Sequence, residues 1–201
     1  MAQVNERDVL QTVRLKGRVS AADLAGALGA DPSAVVDGLV ADGALLSAPA
    51  LRLTPAGRER LAELLAAERA SVDRAAAEAV YERFTPVNAD FKSALSQWQL
   101  GRAEQREIDP GRASGAADPA GDADVLASVQ DVHQRVTPVI AAAAELLPRL
   151  SHYADRLAAA LRLAAAGDLA WLSRPLVDSY HTVWFELHEE LIGLAGRTRE
   201  D

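Results

Sequence analysis

The chain has 201 residues, of which 49% are hydrophobic, 25% charged and 4% aromatic, and this composition excludes a disordered chain. It has no cysteine, which excludes a disulfide scaffold, a thiolate metal site and a cysteine nucleophile. The net charge is -8, and it divides into -1 over residues 1–70 and -7 over residues 71–201, so neither part carries the basic footprint of a strong nucleic-acid binder.

In chain order, Val9, Leu10 and Val13 fall at helical spacing within Glu6–Lys16, and Gly17 stops that helix. Arg18-Val19-Ser20 reads as a short extended piece. Ser20 is the N-cap of a second helix, Ala21–Leu28, with Leu24 and Leu28 turned inward. Gly29-Ala30-Asp31-Pro32 is a turn, and Ser33–Ala41 is a third helix with Val36, Leu39 and Val40 apolar. Leu45-Leu46 and Leu51-Arg52-Leu53 read as two short strands joined through Ser47-Ala48-Pro49. Thr54 caps the next helix, with Pro55 in its first position.

From Arg58 to Phe84 the pattern is one long helix, about 40 Å from end to end. It carries a stripe of small and apolar residues that suits either a dimer contact or packing within its own domain. Thr85-Pro86 reads as a break. A helix Asn88–Leu100 follows, and then the Gly- and Pro-rich stretch 101–124, expected to be a flexible loop. Helices are predicted over Val125–Arg135, from Thr137-Pro138 to Leu147, from Pro148 to Gly167, and over Leu176–Ala195. The expected architecture is an antiparallel bundle of about five helices. With 42 alanines, the strongest helix former, the fold class is mainly α.

The runs SAADLAGALGADPSAVVDGLVADGALL and LRLTPAGRERL carry a likeness to a known family. Helix, tight turn, second helix and glycine before a hairpin, then Thr-Pro-x-Gly leading into a long helix, resemble the winged helix-turn-helix domain of MarR-type transcriptional regulators. The likeness covers roughly Glu6–Ala67. It implies a winged domain over residues 1–70, with a small β-hairpin as its wing. A long linker helix and a helical ligand-sensing or dimerisation domain over residues 71–201 would follow. It also implies a homodimer whose third helix enters the major groove of double-stranded DNA. The groove-facing candidates are then Ser33, Ala34 and Asp37, with Arg52 on the wing and Arg58 and Arg18 on the backbone. Arg14, Lys16 and Arg60 are further backbone candidates. The third helix has no Arg, Lys, Asn or Gln, the side chains that pair best with bases. A winged helix used to dock a protein partner therefore stays open. In that alternative the chain is an accessory or regulatory subunit of a bacterial enzyme, for instance one of phosphoenolpyruvate-linked phosphotransfer.

In the helical part, Arg149, Tyr153 and Arg156 share one helix face. With His181, Trp184 and His188 they are candidates to line a pocket for a small anionic or aromatic effector, since guanidinium pairs well with carboxylate and phosphate. The alternative is arginines bridging to neighbouring Glu and Asp. His181 and His188 lie two turns apart, about 10 Å, too far to share one ion, and no HExxH string occurs. Neither a metal nor a cofactor is expected. No phosphate loop, nucleophile elbow or paired-carboxylate motif is present, so no enzyme is expected. The longest apolar run, Val139–Ala144, falls far short of the roughly 20 residues of a membrane span. The N-terminus has no signal-peptide core, and a cytoplasmic protein is expected. Arginine outnumbers lysine 19 to 2, a bias that points to a GC-rich bacterial genome.

Overall fold

The structure is a computed structural model that describes residues 4–108, 119–175 and 177–197. It is mainly helical with one small two-stranded antiparallel sheet. The chain divides into two compact units, Met1–Ser71 and Val72–Asp201. Among the described residues, no helix is long and apolar enough to cross a membrane.

In the first unit, α1 (Glu6–Lys16) starts on Asn5, whose side chain accepts the Asp8 N–H at 3.0 Å. Acidic residues in its first turn and basic ones in its last suit the helix dipole. Val19 then forms an isolated antiparallel bridge with Leu51, each N–H donating to the other's carbonyl, at 3.3 and 2.9 Å. Helix α2 (Ala21–Leu28) is capped by Ser20, and α3 (Ser33–Ala41) follows the Asp31-Pro32 turn. Strands β1 (Leu45–Leu46) and β2 (Arg52–Leu53) pair with Leu45 opposite Leu53 and Leu46 opposite Arg52. The Thr54 side chain caps α4 (Pro55–Ala70) by accepting the Gly57 N–H at 3.0 Å, and its hydroxyl donates to the Gly43 carbonyl at 2.7 Å. Val9, Leu10, Val13, Leu24, Leu39, Leu45, Leu51 and Leu61 are buried together as the core. Gly57 touches the hairpin so closely that a Cβ there would lie 2.1 Å from the Ala44 carbonyl oxygen.

The second unit departs from the sequence expectation at several points. The single helix expected from Arg58 to Phe84 is two. The Ser71 hydroxyl donates to the Glu68 carbonyl at 2.7 Å, and the Asp73 carboxylate accepts the Ala76 N–H at 2.8 Å at the start of α5 (Arg74–Ile108). These short polar side chains give the backbone local partners that compete with a continuous helix.

The break expected at Thr85-Pro86 is absent, because α5 continues through Pro86. Helix α6 (Pro119–Leu146) likewise runs through Pro138 and unites two expected helices. An interior proline costs roughly 3 kcal/mol. Burial on both sides of each proline opposes that cost: Phe84, Val87 and Phe91 in α5, Val136, Val139 and Ile140 in α6. The loop expected over 101–124 is also corrected. Its first part lies in α5 and its last part in α6, while 109–118 fall outside the described residues. Asp122 ties the two helix ends, accepting from Trp98 Nε1 at 2.8 Å and from Arg102 at 3.1 Å.

A 3-10 turn, Pro148–Ser151, leads into α7 (His152–Ala165), and a second, Leu169–Leu172, precedes α8 (Tyr180–Leu194). The last helix was expected to begin at Leu176, which lies outside the described residues; α8 starts instead on Ser179, whose side chain accepts the Thr182 N–H at 3.4 Å. Residue pairs fix the directions. Asp90 with Arg135 and Trp98 with Asp122 set α5 and α6 antiparallel. Asn88 with Trp184 and Phe84 with His188 set α5 and α8 antiparallel. Phe84, Phe91, Val129, Val136, Ala143, Leu157, Tyr180 and Val183 lie at the centre of this unit's core.

Candidate functional site

In the first unit, the outward residues of α3 are Ser33, Ala34 and Asp37, all exposed. The Ser33 hydroxyl and N–H both donate to the Asp31 carboxylate, at 2.5 and 2.9 Å, which holds that carboxyl below its ordinary range. So Ser33 is engaged in starting the helix. Arg18 is exposed in the bend between α1 and α2. Arg60 is not free for another anion, since it holds Glu6 at 2.8 Å.

Beside the hairpin lies a cleft of about 210 Å³ lined by the last turn of α1, both strands and the first turns of α4. Arg14, Arg52 and Arg58 all face it, and no carboxylate lines it. Arg14 is oriented by Gln11, which accepts its Nε–H at 3.0 Å. The Nε of Arg52 is sealed from solvent without a hydrogen-bond acceptor. Two of the residues singled out from the sequence, Arg52 and Arg58, thus converge on one concave surface.

In the second unit the six expected effector residues separate onto two sides of α8. Arg149 makes a bidentate pair with Glu190, both contacts at 2.8 Å. Arg156 bridges Glu186 at 2.7 Å and Asp178 at 2.9 Å. Tyr153 lies buried beside this network, and burial with the two glutamates pushes its phenol pKa well up. His181, Trp184 and His188 instead meet α5: Trp184 Nε1 donates to Asn88 at 2.8 Å, His188 packs on Phe84 with centroids 5.3 Å apart, and His181 approaches Phe91 at 6.2 Å. The arginines therefore bridge to carboxylates, as the alternative reading had it, and the six residues do not converge on one pocket. Among the described residues no group of three His, Asp or Glu is placed to hold a metal ion.

The sequence reading missed the buried partners Glu186 and Glu190. A signal was present: glutamates four apart on one helix face and arginines seven apart on another are complementary spacings. No family model matches the chain, and neither a curated protein nor a solved structure is significantly similar to it.

Proposed function

We propose that the protein is a DNA-binding transcriptional regulator with a MarR-like winged helix-turn-helix in residues 1–70. In this reading α3 meets the major groove, and the hairpin β1–β2 with Arg52, Arg58 and Arg18 meets the backbone. The helical unit dimerises and responds to a small anionic or aromatic effector. The observation that carries the reading is the Val19–Leu51 bridge, which ties the α1–α2 connection to the hairpin at one residue pair beside three helices. A hairpin steadied in this way, with the outer face of α3 left exposed, suits groove insertion.

A mobility shift with the full chain and the DNA upstream of its own gene, at two salt concentrations, tests it. Binding that weakens steeply with salt is expected. Absence of a shift at low salt overturns the reading, and light scattering tests the dimer separately. One observation favours a second reading, a docking module on an enzyme partner: α3 has no cationic side chain and exposes Asp37.

A further inference from the structure

We infer that the cleft beside the hairpin is a seat for a phosphate group, held by Arg52 and Arg58. The two guanidiniums come from different elements, β2 and the first turns of α4, and face the same concave surface. Among the described residues neither makes an ion pair, whereas Arg60, two residues after Arg58, is matched to Glu6. Among the described residues, Arg7, Arg102, Arg135, Arg149, Arg156, Arg174 and Arg197 also hold carboxylates.

The charge of an anion in the cleft is balanced by the guanidiniums of Arg52 and Arg58, with no carboxylate in the lining to repel it. The volume of about 210 Å³ is below the roughly 300 Å³ of the smallest drug-sized sites, so a compact tetrahedral anion fits better than an extended ligand.

Two sources share this chemistry: a backbone phosphate of a duplex and a free phosphorylated small molecule. The first rests on the proposed DNA contact. The seat itself does not, so the two ideas fail separately.

The test is a titration of the full chain with inorganic phosphate, followed by backbone and guanidinium NMR shifts, against sodium chloride at matched ionic strength. Saturable shifts at Gly17, Leu46 and the Arg52 Nε–H are expected with phosphate alone. Arg52→Gln and Arg58→Gln should each weaken binding about tenfold or more. Arg58 is exposed, so its replacement also keeps the test valid if the Arg52 variant fails to fold. Phosphate that displaces a duplex identifies the backbone source; phosphate that binds while duplex binding is absent or unaffected identifies a free ligand. Shifts no larger than those with chloride, or unchanged in the Arg58 variant, overturn the seat.

Discussion

Arg149 and Glu190 grip each other through both guanidinium nitrogens and both carboxylate oxygens at 2.8 Å, with the glutamate side chain only 4% exposed. One turn earlier on α8, Glu186 is equally buried against Arg156. The two pairs lock α7 and its leading turn to α8, and they do so with charges removed from water. Such pairs contribute little net stability as pairs, because desolvation offsets the attraction, yet losing one partner leaves a bare buried charge.

Replacing Glu190 with Leu should therefore destabilise the second unit by about 3 kcal/mol or more. Adding Arg149→Met to the same chain should restore much of the loss, since no orphaned charge remains. Chemical denaturation followed by circular dichroism of the single and double variants checks this. A double variant as damaged as the single one would show that the packing of the side chains, not the orphaned charge, sets the cost.

Gly57 and Gly26 make an opposed pair of predictions in the first unit. A methyl group at 57 collides with the Ala44 carbonyl oxygen, a backbone atom that cannot swing away, whereas one at 26 meets nothing within 4 Å. Gly57→Ala is expected to separate α4 from the hairpin and expose Leu45 and Leu61 to hydrogen exchange. Gly26→Ala, in the exposed interior of α2, should raise stability by about 0.5–1 kcal/mol. If both variants melt as the unsubstituted chain does, the close approach of α4 to β1 is wrong.

Stability should fall as the pH drops below about 6.5, the ordinary histidine pKa. Burial lowers the folded-state pKa of His133, which lies 3.3 Å from the Tyr180 hydroxyl, and lowers those of His152 and His181 in the same direction. The unfolded chain thus takes up protons that the folded chain refuses. The stabilisation is complete above the unfolded pKa and is lost as the pH falls toward the folded values. Denaturant midpoints between pH 7.5 and 5 should show the decline, and His133→Gln should make it shallower. An unchanged slope would assign the pH dependence to other groups.

The first unit was legible because its signals are local. Asn5, Ser20 and Thr54 cap helices, and Gly17 and Gly43 turn the chain at positive φ, so the starts of α1, α2 and α4 and the ends of α1 and α3 follow from neighbouring residues. In the second unit the deciding forces come from residues distant in sequence. Thr85-Pro86 and Thr137-Pro138 read as stops, but the apolar residues on both sides of each proline are buried, so both helices continue. The site was half legible. Arg149 and Arg156 stood out as an anion-binding face, but that their anions are Glu190 and Glu186 is a fact of tertiary pairing.

Asp37 gives the duplex reading its most discriminating test. It is exposed on the outer face of α3, the face that groove insertion would press against two rows of phosphates. A carboxylate there repels DNA at every sequence, so Asp37→Asn should tighten duplex binding by about threefold at low salt, with the gain shrinking as salt screens the charge. Anisotropy titrations of a labelled duplex at two salt concentrations give both numbers. A substitution in the helical unit, Asp131→Asn, serves as control, because it changes the net charge equally without touching α3. Equal gains from both variants would mean that overall charge governs the affinity and that α3 does not face the duplex; a gain confined to Asp37→Asn places that helix against it.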